Sequence, residues 1–393
     1  MRTDNFNSPD HFSIEKLLNE ENILVRNSTR EWVKNNVSPI IEDANLENKF
    51  PLEFVKGIAE IGGYGPFLPI EYGGSEIDFV SYGLMMQELE RGDSSLRVLS
   101  SIQSSLVMNL IHKYGNNEQK KHYLTSLSKG KIIGSFGMSE PNHGSDPSSM
   151  LTRYVLENNN YKINGGKLWI GHAPICDVAV FWAKNKENEF GLFLVNKGTK
   201  GFNTGKIEKK WGFRSSETGE LFFNDMILPK ENLLFKTKNF NEVLSCLNLD
   251  RYAVAWGALG IAMECYDIAL NYSKERVQFG KKIASYQLIQ KKLVDMITEI
   301  TKVQILVWRL GVLLNEKSAT HEQISMAKRT SVKIASEVAR KSRSILGGMG
   351  ITSEYPIMRH ILNLEVLTTY QGTEEIHTLI TGKKITNISA FRS

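Results

Sequence analysis

Residues 152–165 read TRYVLENNNYKING. Aromatic and β-branched residues flank Asn158-Asn159-Asn160, and three asparagines between such runs read as a hairpin turn. More short β-rich runs follow at VAVFWAKN (178–185), FGLFLVN (190–196) and ELFFNDMIL (220–228). This β section begins after Gly134 and ends near Pro229. Its neighbours on both sides have a different period.

Upstream, FVSYGLMMQELERG (79–92) and SSIQSSLVMNLIHKYG (100–115) place apolar residues three and four apart, with Gly92 and Gly115 near the helix ends. Downstream, Ile289, Leu293, Met296, Ile297 and Ile300 share one face of a long helix. Thr320 and Gln323 form a capping box for the next helix, and Gly347-Gly348 stop it. The fold class is therefore mainly α with a central β domain. The expected divisions are 1–133 (helical), 134–236 (β) and 237–393 (helical bundle). The first ten residues are expected to be disordered.

The 393-residue chain can bury a large core in two or three domains. Its net charge of +5 is small and no long Lys/Arg run occurs, which argues against nucleic acid as a partner. Cys176, Cys246 and Cys265 form no CxxC pair, and the histidines form no HxxxH pair, so neither a disulfide framework nor a metal site is expected. No apolar run reaches the ~18 residues of a membrane span. Acidic residues near the N-terminus, Asp4 to Glu21, do not suit a targeting peptide. The expectation is a cytoplasmic protein without a membrane partner.

Four segments carry polar chemistry. FGMSEPNHGSDPSSM (136–150) offers small and hydroxyl residues, although its composition alone suits a surface loop. KLWIGHAPICD (167–177) offers Trp169, a flat surface of a kind more often found in a core. NYSKERVQFGKKIASYQ (271–287) offers Arg276, which can clamp phosphate or serve as a solvated helix charge. The fourth is ILGGMGITSEYPIMRH (345–360) with VLTTYQGTEEIHTLI (366–380). Its GGMG follows a helix, so it is not a Rossmann phosphate loop.

In order and spacing, these segments resemble the acyl-CoA dehydrogenases over almost the whole chain, and most of all the glutaryl-CoA dehydrogenase branch. CLNLDRYAVAWG, ERVQFGKK, YQLIQKKL, NLE, TYQGT and the tail ITNISAF add to the likeness. The resemblance implies a helical N-terminal domain, a middle β-barrel and a C-terminal four-helix bundle. It also implies bound FAD, an acyl thioester substrate carried on CoA or an acyl carrier protein, electron-transfer flavoprotein as acceptor, and a homotetramer built as a dimer of dimers.

For FAD it implies Phe136, Met138, Ser139, Ser145, Trp169, Ile170, Gly171, Arg276, Phe279, Gln287, Leu346, Gly347, Gly348, Thr373 and Glu375. For the thioester it implies Ser145, Leu244 to Arg251, Tyr370 and Gly372. Arg97 matches an Arg that binds a distal carboxylate, with Glu90 and Val98 at the same end. Seven residues apart, Glu90 and Arg97 fall on roughly one helical face. The alternative is that Arg97 pairs with Glu90 for structure alone.

Three positions depart from the pattern. Gln371 stands where the family carries its catalytic Glu, and an amide cannot accept the α-proton. Asp250 precedes Arg251, where some branches place their base as a Glu. Its side chain is shorter by roughly 1.5 Å, and pairing with Arg251 or a Lys is the other reading of it. Gly171 stands where the family has Thr. Three functions follow from these departures. One is a dehydrogenase, with or without decarboxylation, whose base is Asp250. A second is a flavoprotein of this fold that has lost dehydrogenation: a decarboxylase, a carrier-protein tailoring enzyme or a thioester binder. The third is an engineered Glu-to-Gln variant.

Overall fold

The computed structural model describes residues 9–390. Positions 1–8, including Asp4, and 391–393, including Phe391, lie outside the described residues. Of the ten N-terminal residues expected to be disordered, Asp10 is placed. Its carboxylate accepts from the Ile14 and Glu15 backbone N–H at 2.7 and 2.9 Å.

The N-terminal section is helical: α1 (Glu20–Trp32), α2 (Ile41–Leu46), α3 (Glu53–Glu60), α4 (Phe79–Gly92), α5 (Ser94–Ser101), α6 (Asn109–Tyr114), α7 (Asn117–Gln119) and α8 (Thr125–Ser128). Asp78 caps α4 by accepting from the Ser81 N–H at 2.7 Å. A π-helical stretch, Ile102–Met108, joins α5 to α6 without a break. Apolar spacing alone does not distinguish it from α-helix.

The eight strands that follow are β1 (Gly134–Gly137), β2 (Arg153–Glu157), β3 (Asn160–Gly171), β4 (Val178–Lys184), β5 (Phe190–Asn196), β6 (Phe202–Lys206), β7 (Thr218–Pro229) and β8 (Leu233–Thr237). They form one sheet, in the order β6-β7-β3-β2-β4-β5-β8, with β1 beside β4. The Asn158-Asn159 turn holds both residues at positive φ, 45° and 68°, as a two-residue hairpin requires. The sheet runs past Pro229, because β8 pairs with β5. At its middle, β2 and β4 share a single register pair, Arg153 with Lys184. The two halves fold over a common core that includes Ile163, Phe181, Phe193, Leu221 and Phe223.

The C-terminal section holds α9 (Phe240–Ser245), α10 (Asn248–Glu275), α11 (Gln287–Asn315), α12 (His321–Leu346), α13 (Ile357–Thr369) and α14 (Glu374–Thr386). A small hairpin, β9 (Val277–Gln278) with β10 (Lys281–Lys282), links α10 to α11. The Thr320–Gln323 capping box forms as the spacing predicts, and α12 ends at Gly347 with φ 60°. Along α11, Leu293, Met296 and Ile300 are buried on one face.

The α10 region departs from the sequence reading. By length and composition Phe240–Glu275 could cross a membrane, yet 89% of its apolar window is buried within the protein. It packs between α4 and α12. Glycines permit the close approach to α4. A Cβ on Gly83 would lie 2.3 Å from the Trp256 ring, and one on Gly260 would lie 2.2 Å from the Gln87 carbonyl oxygen. α10 is thus the central helix of the helical core.

Candidate active site

A fully buried polar centre lies where α4, α5 and α10 meet. Asp93 separates the two N-terminal helices with an extended φ of −165° and caps α5 through the Ser95 N–H at 2.8 Å. Glu90 and Arg97 are therefore on different helices, not two turns apart on one. The bend still brings them together. Arg97 Nε donates to Glu90 Oε2, and Nη2 lies 3.4 Å from Oε1. The Arg97 guanidinium also sits 5.6 Å from the centre of the Tyr370 ring and 3.5 Å, through Nη1, from Ser101 Oγ. A Cβ on Gly257 would stand 2.4 Å from Glu90 Oε2, so α10 closes this ion pair from behind.

Asp250 enters from the first turn of α10. Ser105 Oγ lies 3.4 Å from its Oδ1, and Oδ2 is buried with no hydrogen-bond partner. Burial raises its pKa, while Arg97, Ser101, Ser105 and Arg251 pull the other way. The pairing with Arg251 is not made. Arg251 Nε donates instead to the Gln371 carbonyl oxygen at 2.9 Å.

Gln371 follows the end of α13 with φ 56°, and Gly372 follows it at φ 92°. His377 Nε2 also meets the Gln371 carbonyl at 3.2 Å. Lys328 from α12 donates to the carbonyls of Leu367, Tyr370 and Gly372 at 2.8, 3.0 and 2.8 Å. Gln371 Oε1 is buried without a partner. Thr373 caps α14 through the Ile376 N–H at 3.3 Å, and Glu375 lies in that helix's first turn.

A second group of expected residues gathers at the edge of the sheet. Phe136 and Met138 are buried, not part of a surface loop, because β1 carries the chain into the sheet. Leu168 N–H bonds the Ser139 carbonyl at 2.9 Å, fastening β3 to this segment. Buried Lys167 pairs with Glu140 at 2.8 Å and anchors the loop that presents Ser145. Trp169 is not a core residue. It is 62% exposed, at φ 65° and at a register shift in the β3–β7 ladder. Ile170 is buried. A Cβ on Gly171 would meet Ile102 Cδ1 at 2.5 Å and Val98 Cγ1 at 3.7 Å, so this edge abuts α5 and its π-helical continuation.

The remaining residues stand apart. Arg276 is exposed at the end of α10, and Phe279, 94% exposed, tips the β9–β10 hairpin, with Gln287 starting α11. Leu346, Gly347 and Gly348 end α12. Leu244 is half-buried in α9, against the helical core. Among the described residues, the hairpin does not touch the Arg97–Asp250–Gln371 centre; it packs on α10, and the Ile283–Ser285 turn that follows it packs on α10 and α11.

The sequence reading did not single out Lys328, His377, Ser101 or Ser105. Lys328 left a signal: it lies between Ile324 and Val332 at four-residue spacing, which puts a lysine on the apolar face of α12.

These residues fit FAD. An exposed tryptophan held at positive φ offers a flat platform at the end of β3. Arg276 offers an exposed guanidinium for phosphate. The buried, unpaired Asp250 Oδ2 and Gln371 Oε1 leave polar capacity for a small ligand.

Comparison with known proteins agrees with this arrangement. Residues 19–131, 135–226 and 240–386 match the N-terminal, middle and C-terminal domains of acyl-CoA dehydrogenase. The chain is 35% identical to the short-chain specific acyl-CoA dehydrogenase of Clostridium acetobutylicum, covering 94% of this chain and 98% of that one. The glutaryl-CoA dehydrogenase structure from Mycobacterium smegmatis superposes with a TM-score of 0.95 at 39% identity, covering 98% of this chain and 100% of the other. A second structure of a glutaryl-CoA dehydrogenase from that organism, in complex with FADH2, gives 0.96 at 37% identity with the same coverage.

Proposed function

The chain belongs to the acyl-CoA dehydrogenase family of FAD-dependent oxidoreductases acting on CH–CH bonds, and from that premise we propose that it oxidises a dicarboxylic acyl thioester with Asp250 as its base. The observation that carries this reading is Asp250 itself. It is a buried carboxylate with one free oxygen and a raised pKa, placed among Arg97, Ser105 and Arg251. A base in such surroundings holds a proton more readily than an exposed carboxylate does.

Each residue has a distinct task. Arg97, with one edge taken by Glu90, keeps Nη1 turned toward Ser101 and can bind a distal carboxylate. The Gln371 N–H donates to no acceptor among the described residues, which suits it to polarise the thioester carbonyl. Asp250 Oδ2 takes the α-proton. FAD supplies the acceptor for the β-hydride. Where decarboxylation follows, carbon dioxide leaves with its bond electrons retained by the acyl chain, and the proton on Asp250 passes to the carbon that carried the carboxylate.

The exposed Phe279 hairpin supports assembly into a homotetramer in which Arg276, Phe279 and Gln287 serve a neighbouring subunit's FAD. Electron-transfer flavoprotein is the proposed acceptor, and the cytoplasm the proposed compartment.

A second reading, a flavoprotein that binds thioesters without dehydrogenating them, is favoured by Gln371. Its amide oxygen has no partner, and no carboxylate stands at that position. Glutaryl-CoA added anaerobically to the purified holoenzyme separates the two. Bleaching of the flavin band in the wild type, and its loss in Asp250→Asn, is the result expected. A wild-type band that shifts without bleaching favours the second reading, and bleaching in the variant at the wild-type rate removes Asp250 from the base role.

A further inference from the structure

Lys328 is a lysine in the core. It is 1% exposed, and its three hydrogen bonds all go to backbone carbonyls of one short segment, those of Leu367, Tyr370 and Gly372. An ammonium group has three protons and an amine two donors, so only the charged form serves all three carbonyls.

The direction of these bonds matters more than their number. In a trans peptide the C=O of one residue and the N–H of the next lie in one plane and point in opposite directions. The chain has no cis peptide bonds among the described residues. The Tyr370 carbonyl points at Lys328, so the Gln371 N–H points away from it. By the same rule the Gly372 carbonyl directs the Thr373 N–H away. Between them the Gln371 carbonyl is held by Arg251 and His377. Three side chains from α10, α12 and α14 thus fix successive peptide planes. A charge on the far side of the Tyr370–Gln371 peptide also polarises it, which strengthens the N–H as a donor.

We propose that Lys328 is the positioning residue of the thioester-carbonyl site: from behind the loop it aims and polarises the Gln371 N–H. This rests on the reading in which that N–H meets the thioester carbonyl. The proposal explains why a cation stands where a leucine would pack more cheaply. It also explains why the loop keeps its shape with Gln at 371, since none of the three clamping side chains bonds the glutamine amide.

The surroundings of Lys328 make the clamp sensitive to pH. Burial, then Arg251 of α10 and Arg97 of α5, lower its pKa to about 7, while Asp250 of α10 and Glu374 of α14 oppose them. His377 of α14 and Tyr370 in the loop complete the ring of titratable neighbours. As the pH rises through that value, one of the three carbonyls loses its donor.

The test uses the full-length holoenzyme, wild type and Lys328→Met, with two readouts. Hydrogen–deuterium exchange at 370–373 should quicken at least about tenfold in the variant. Flavin reduction by glutaryl-CoA should slow about 100-fold in kcat with KM changed less than about threefold, because the group is needed in the transition state. Lys328→Arg, which keeps charge and donors, should recover part of the rate. Unchanged exchange at 370–373 overturns the proposal whatever the kinetics. Loosened exchange with an unchanged kcat overturns it too. Loosened exchange in a variant of a wild type that glutaryl-CoA does not reduce supports the clamp and removes the dehydrogenation reading. Where Lys328→Met does not fold, the wild type decides. Protection at 370–373, corrected for intrinsic exchange, should fall several-fold between pH 6 and pH 9, and a flat profile overturns the proposal.

Discussion

Asp250 is placed at a cost to the fold. A group whose folded pKa lies above its unfolded value contributes stability at low pH, and that contribution is lost as the pH rises through the folded pKa. Asp250 is raised by burial, so at neutral pH its charged form destabilises the protein. Asp250→Asn, which mimics the protonated form, should therefore raise Tm, by about 1–4 °C, even as it abolishes flavin reduction. Differential scanning calorimetry at pH 7.5 checks this; a lower Tm would mean that the charge stabilises the fold through Arg97. In the wild type, kcat/KM should rise with pH across an acid limb displaced upward from the ordinary Asp range. At this scale much of the site was legible. Gln371, Asp250 and Gly171 are visible as changes within recognisable segments. Lys328 was not picked out, because a lysine in an amphipathic helix is ordinarily solvated and only its register argues otherwise.

Among the elements, the contact between α4 and α10 backs the Glu90–Arg97 pair. Gly83, Gly257 and Gly260 let the helices approach, and Gly257 lies directly against the Glu90–Arg97 pair. Gly257→Ala should displace that pair, costing about 1–3 kcal/mol by overpacking. It should raise KM for glutaryl-CoA more than for butyryl-CoA, since only the first presents a carboxylate to Arg97; equal effects on both thioesters would count against the carboxylate role. Long helices and the Asn158-Asn159 hairpin were readable because their periods and turn residues persist over many positions. β1, β6 and β8 were not, being four or five residues each without a turn signature of their own. Gly92 ends α4 as its sequence predicts, yet a single helical face for Glu90 and Arg97 runs straight through that end, because the apolar period continues past Asp93 while the backbone does not.

Across the whole molecule, Asp93 ties the three sections together. Its carboxylate receives Arg359 and Asn363 from α13 and Ser215 from the segment before β7, while Arg359 also reaches Glu42 of α2 at 2.8 Å. Burial alone would raise the Asp93 pKa, but Arg359 and the hydrogen bonds outweigh it and lower it. A lowered folded pKa gives stability that is present above the unfolded pKa and lost as pH falls through the folded one. Arg359→Met leaves that carboxylate buried without its cation and should cost about 3–5 kcal/mol. Urea denaturation near neutral pH checks the magnitude, and the acid-side slope of stability should flatten in the variant; a loss below about 1 kcal/mol would show the network to be dispensable. The α–β–α order was evident from composition and period. This network was not, because Asp93 and Arg359 are 266 residues apart and nothing local connects them.

The backbone around residue 371 has a consequence for descent as well as for chemistry. Its path is held by carbonyls, which every amino acid carries, and by partners rooted in three other helices. The side chain at 371 is left out of that bargain. A lineage can therefore exchange the residue there without refolding the loop, and move the acid–base duty to another helix in a separate step. A position so insulated is where a scaffold can acquire new reactions.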